Sequence, residues 1–168
     1  RNARVGFGTV RGLLRAVDGV SFDLEAGRTL GIVGESGSGK SVLVRSLIGL
    51  VSAGAATEIG GQVLFDGDDL RRLPDARLRG RLGRDVGIVF QDPMTSLNPV
   101  MKIGKQIGEG LRLNRGLDAG AAARRAIELL AEVGIPEAER RARQYPHEMS
   151  GGMRQRVAIA IAIACEPK

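Results

Sequence analysis

Apolar and polar residues change rhythm along the chain, and each rhythm predicts an element. Ala16 to Leu24 (AVDGVSFDL) mixes β-favouring residues with Asp18-Gly19, which predicts paired strands at a sheet edge with a turn at that dipeptide. Glu25-Ala26-Gly27 turns the chain into Thr29 to Val33 (TLGIV), a short continuous apolar run expected of a strand buried on both faces of a parallel sheet. Val42 to Leu50 reads as a buried helix, and Gly61 to Leu70 (GQVLFDGDDL) alternates about a turn at Asp66-Gly67. Asp118 to Gly134 predicts a helix with Asp118 as N-cap, Gly134 as C-cap and Ile127, Leu130 and Ala131 on one face. A shorter helix follows at Ala138 to Gln144, stopped before Pro146. Val157 to Cys165 (VAIAIAIAC) is two-sided: its alternation has the period of a strand, while its alanines favour helix.

Composition narrows the class. With 168 residues, 43% of them hydrophobic and 26% charged, the chain has the mass for a packed core and is unlike a disordered tail. Its 25 glycines follow no collagen period, and Cys165, the single cysteine, forms no internal disulfide. The nine-residue run from Val157 falls well short of the ~18 residues of a spanning helix, which makes the cytosol the default compartment. The net charge of +6 comes from 25 basic residues scattered among 19 acidic ones, with four Phe, one Tyr and no Trp to stack bases. A solvated surface is the better reading, and no nucleic-acid partner is expected.

The chemistry begins directly after TLGIV. Gly34 to Ser41 (GESGSGKS) fits G-x-x-x-x-G-K-[ST] between an expected strand and an expected helix, the context that makes the pattern a phosphate cradle. Gly34, Gly37 and Gly39 free the backbone to aim amides at phosphate oxygens, including those of Ser36 and Ser38. The helix starting near Lys40 adds its positive end and the amides of Ser41 and Val42. Lys40 is placed for the β- and γ-phosphates, and the Ser41 hydroxyl for Mg²⁺. A GTPase would carry Asn-Lys-x-Asp, whereas Asn98 and Asn114 precede Pro99 and Arg115. Read alone, Val86 to Asp92 (VGIVFQD) would make Asp92 the metal carboxylate.

Three segments together change that assignment: GESGSGKS, IVFQDPMTSLNP (Ile88 to Pro99) and YPHEMSGGMRQRVAIA (Tyr145 to Ala160). In this order they resemble the nucleotide-binding subunits of ABC transporters, and SLNP with PHEMSGGMRQR is similar to the dipeptide, oligopeptide and nickel importer branch. The resemblance implies an α/β fold: a P-loop NTPase core of RecA-like type with an antiparallel β edge and an inserted helical subdomain, incomplete on its C-terminal side. It implies ATP and Mg²⁺ as cofactors, catalytic roles for Lys40 and Gln91, and Ser41 and Gln91 at the metal. Ser150, Gly151 and Gly152 would form a signature turn on the γ-phosphate of a second subunit, with Met153 where many relatives carry glutamine. The implied parts are residues 1–91 (core with P-loop), 92–149 (glutamine loop and helical subdomain) and 150–168 (signature helix returning to the core). It also settles Val157 to Cys165 as helix.

For the adenine ring, the resemblance points near Arg11, whose guanidinium plane stacks as an aromatic would, with Phe7 four residues earlier. His147, the lone histidine, does not match the family's switch histidine and reads as structural or exposed. Partners implied are a second ATPase subunit in a head-to-tail dimer, transmembrane permease subunits and, indirectly, a solute-binding protein, at the cytoplasmic face of the membrane. Arg1 to Phe7 resembles the middle of a first strand, and Cys165-Glu166-Pro167-Lys168 stands where the family continues toward its metal-binding aspartate and catalytic glutamate. The expectation is a truncated subunit that hydrolyses ATP poorly, since a missing general base costs ~10²- to 10⁴-fold in rate. The competing classes are a soluble ABC-type ATPase acting on nucleic acid or ribosomes and a non-catalytic nucleotide-binding fragment.

Overall fold

A computed structural model describes residues 1–51, 57–90 and 96–168. Its contacts divide it into two units, Arg1–Leu78 and Arg79–Lys168, each with a core of its own.

In the first unit, strand β1 (Ala3–Thr9) pairs antiparallel with β2 (Gly12–Val20) on one edge and with β3 (Thr57–Gly60) on the other. The β1–β2 turn falls at Val10 and Arg11, where Thr9 Oγ1 accepts from the Arg11 amide at 3.2 Å and donates to the Gly12 carbonyl at 2.7 Å. The turn expected at Asp18-Gly19 is therefore displaced: both residues lie inside β2. Between the pairs Val5/Val17 and Ala3/Val20 the register slips by one residue, so the dipeptide makes a bulge, with Gly19 at φ 73°. Asp-Gly suits a bulge and a turn for the same reason, the glycine's access to positive φ.

Glu25 to Gly27 turns as expected, with the Arg28 amide donating to the Glu25 carbonyl at 3.1 Å. Thr29 to Val33 departs from expectation. It belongs to no strand, and Leu30, Ile32 and Val33 are 42%, 38% and 93% exposed. A parallel strand has no local hydrogen-bonding partner, and no described segment ladders with this one. The same holds for Val86 to Phe90 in the second unit. Helix α1 (Lys40–Leu47) buries Leu43 against Ala3, Val5 and Val17, which seats it on the β1–β2 sheet. Strands β4 (Leu64–Phe65) and β5 (Asp68–Asp69) form the expected hairpin, with Asp66 at φ 49° and Gly67 at φ 82° in the turn.

The second unit is helical. Helix α2 (Asp75–Asp85) runs across the boundary into it and ends on Asp85, whose buried carboxylate meets Arg84 Nε at 2.8 Å and Arg81 Nη1 at 3.0 Å. Helix α3 (Ile103–Arg115) places Ile103, Ile107 and Leu111 at four-residue spacing into the core. Helix α4 (Ala119–Glu132) is capped by Asp118, whose Oδ1 accepts from Gly120 and Ala121, and closes on Gly134 at φ 74°. Its buried face is Ala122, Ala126, Leu129 and Leu130. Of the residues expected there, Ile127 is half-buried and Ala131 exposed, because the stripe is carried by alanines with little apolar signal. Helix α5 (Ala138–Ala142) is short, and α6 (Gly151–Ile163) confirms helix for the alternating run. Val157, Ala160 and Ala164 join the α3 and α4 side chains in one core, and the small alanines let α6 approach closely. No helix among the described residues is long and apolar enough to cross a membrane.

Candidate functional site

The P-loop lies between Val33 and α1, and its geometry is set from inside the first unit. Gly39 takes φ 87° at the N-terminus of α1, and a Cβ there would collide with the Ala16 carbonyl oxygen of β2. Only glycine satisfies both the backbone angle and the approach. Gly37 is also left-handed, at φ 81°. A Cβ on Gly34 would stand 2.9 Å from Ser38 Oγ, so the loop closes tightly across its mouth.

Lys40 fills that mouth. Its Nζ donates to the Gly34 carbonyl at 2.7 Å, the Glu35 carbonyl at 2.6 Å and Ser38 Oγ at 3.2 Å. Three oxygens around one ammonium are what phosphate oxygens would replace. Ser36 and Ser38 are exposed on the loop, and Ser41 and Val42 sit in the first turn of α1, where amides lack intrahelical partners. The cradle therefore fits a polyphosphate. Among the described residues no group of three or more His, Cys, Asp or Glu side chains could hold a metal, and the exposed Ser41 hydroxyl is the described side chain that would serve Mg²⁺ bound with the nucleotide.

Gln91 and Asp92 lie outside the described residues. Further along, the chain is firmly held: Leu97 is buried, and the Gln106 side chain clasps the loop from Asn98 to Met101. Gln106 Nε2 donates to the carbonyls of Asn98 at 2.9 Å and Met101 at 2.7 Å, and Oε1 accepts from the Asn98 amide at 3.0 Å. Nothing local in the sequence singles out Gln106, which works across eight residues.

The signature turn opens α6. Ser150 Oγ accepts from the Met153 amide at 3.3 Å, which makes it the N-cap of the helix. Gly151 and Gly152 are exposed, neither has positive φ, and a Cβ on either would meet nothing within 4 Å. Their own fold gives no reason for glycine, although each costs about 1 kcal/mol against alanine inside a helix. Bare backbone at an open helix start suits close approach by another molecule. Just upstream, Glu148 accepts from the Tyr145 amide at 2.7 Å, and exposed His147 stacks on Tyr145 with ring centroids 5.7 Å apart.

Arg11 stands exposed at the β1–β2 turn, whereas Phe7 is half-buried against the cluster that also takes Val42 and Leu43 of α1. Within the second unit, a groove of about 920 Å³ runs along α3 and α4, with Gly104, Lys105, Gly108, Arg112 and Ala122 among its lining.

The ABC transporter family model matches residues 17–168. The chain is 48% identical over 167 residues to the dipeptide transport ATP-binding protein DppD of Bacillus subtilis (strain 168), covering 99% of this chain and 50% of that protein. It is 54% identical to a putative peptide import ATP-binding protein of Brucella abortus (strain 2308), again over 99% of this chain and 50% of the relative. With the oligopeptide transport ATP-binding protein OppD of Bacillus subtilis (strain 168) it shares 48% over 100% of its length and 47% of the relative's. The chain thus spans about half the length of the curated relatives it matches. Among solved structures, an ATP-binding cassette described as dimeric, post-hydrolysis and bound to ADP and Pi superposes with a TM-score of 0.86 at 28% identity, over 99% of this chain and 69% of that one.

Proposed function

The chain belongs to the ABC transporter family, and from that membership we propose that it is the nucleotide-binding part of an ATPase subunit that energises import of peptides or a related solute. The observation that carries this reading is the Lys40 ammonium held by three loop oxygens over the start of α1. ATP would enter by exchanging those oxygens for its β- and γ-phosphates, with loop amides from Gly37 to Val42 around them, and Ser41 and Gln91 would hold Mg²⁺. Bound Mg²⁺ would draw charge from the phosphate oxygens.

For stacking on adenine we favour Phe7 over the Arg11 guanidinium, since Phe7 is an aromatic ring in the same apolar cluster as Val42 of α1. The open glycines at 151 and 152 support a signature turn that closes on nucleotide held by a second subunit, in keeping with the dimer reported for the superposed cassette. The groove along α3 and α4 suits a helical segment of a membrane permease at the cytoplasmic face, with a solute-binding protein acting through that permease. The names of the relatives favour peptide import over the alternative of an ATPase working on nucleic acid or ribosomes.

Titration of the purified chain with a fluorescent ATP analogue and Mg²⁺ tests the reading. Saturable binding is expected, weakened on the order of 10²-fold in Lys40→Ala, and more by Phe7→Ala than by Arg11→Ala. Binding unchanged in Lys40→Ala would refute it.

A further inference from the structure

Helix α6 carries the signature turn at its start, so its axial position and rotation set where that turn stands. Its fully buried core contacts are made by Val157, Ala160 and Ala164, with Met153 and Ile161 half-buried against the same core. Alanine faces pack closely but interlock weakly, because a methyl group is a shallow knob. Just past its C-terminal end the chain is tied to α3, where Arg115 donates to the Cys165 carbonyl, and nearer the signature turn a second polar contact ties α6 to α4. Arg156 Nη1 donates to the carbonyl of Gly134 at 2.6 Å and to that of Val133 at 3.3 Å, the oxygens that follow the last turn of α4. They sit at the negative end of that helix, which the guanidinium caps. Gly134 is built for the contact: it takes φ 74°, and a Cβ there would stand 2.6 Å from Arg156 Nη1. The α4 end is itself anchored, with the Ile135 amide donating to the Leu130 carbonyl at 2.9 Å and Ile135 buried.

We propose that Arg156 is a positioning residue that pins α6 to the C-terminal end of α4 and thereby sets where Ser150, Gly151 and Gly152 stand. The inference rests on reading that turn as one half of a paired nucleotide site, where an error near 1 Å is costly.

The experiment compares wild type, Arg156→Ala and Arg156→Lys in three measurements: affinity for the fluorescent ATP analogue at low protein concentration, ATP-driven self-association by sedimentation velocity, and hydrogen exchange of the amides at 151–154. Arg156→Ala should keep nucleotide affinity within about twofold while raising the concentration for half-association about tenfold. Exchange at 151–154 should quicken with α4 unchanged, and Arg156→Lys should recover part of both losses. Arg156→Ala that associates like wild type, or whose nucleotide affinity falls in parallel, overturns the proposal. If Arg156→Ala loses its fold, Arg156→Gln, which keeps the stem but not the charge, takes its place under the same criteria. Wild type that binds nucleotide without associating refutes the paired-site reading instead, and exchange at 151–154 then decides whether Arg156 holds the helix.

Discussion

The P-loop unit and the helical unit solve the same problem of covering apolar residues with different resources. Among the described residues of the helical unit, thirteen buried side chains form one cluster drawn from α3, α4, α6 and the segments flanking them. In the P-loop unit the described cluster has four buried members, and Leu30, Ile32 and Val33 face outward just before the loop. The difference follows from where hydrogen bonds come from. A helix satisfies its backbone within four residues and needs neighbours only for its side chains, whereas a strand of a parallel sheet needs neighbours for both. Among the described residues the unit with the P-loop therefore has the thinner core, and the shape of its loop comes from steric exclusion at single glycines rather than from bulk.

That contrast can be broken at its strongest point first. Leu130→Ala, in the fully buried seam of the helical unit, should cost about 2–5 kcal/mol in chemical denaturation, with nucleotide affinity of whatever remains folded unchanged. Gly39→Ala should do the reverse. The strained backbone alone costs about 1–3 kcal/mol, and the collision with Ala16 should abolish binding of the ATP analogue while helical circular dichroism is retained. The smallest effect is acid sensitivity at Asp85. Its hydrogen bonds from Arg84 and then Arg81 hold the carboxyl well below the usual range, so the ionised form is favoured in the fold. The stabilisation is complete above the unfolded value of about 3.9 and fades as pH falls below it. Thermal melts should show wild type converging on Asp85→Asn only in that acid range; convergence already at pH 6 would refute the assignment.

Much of the candidate site is legible in the sequence because it is local. GESGSGKS, the Ser150 cap, the Asp118 cap and the Asp66-Gly67 turn each lie within a few residues of one another, and each appears where the sequence puts it. Relationships across distance are harder. TLGIV and VGIVF have strand composition but no described ladder partner, and Asp18-Gly19 makes a bulge because β1 pairs with β2 beyond it. Helix α3 has its signal in the spacing of Ile103, Ile107 and Leu111, but the glycines at 104, 108 and 110 weaken its propensity and blur it into the surrounding helical region. Gln106 and Arg156 carry no signal at all, since their partners are backbone amide and carbonyl groups, which nearly every residue has.

The alternating run in α6 has a consequence for biosynthesis. Off the native fold, VAIAIAIAC is a short uncharged stretch of strand-like period, the sort of segment that pairs with copies of itself. Its docking surface is made by α3 and α4, both earlier in the chain. On a ribosome those helices emerge first, so the hazardous stretch meets its berth as it appears. A rearrangement that placed α6 ahead of α3 would keep every native contact and lose that protection.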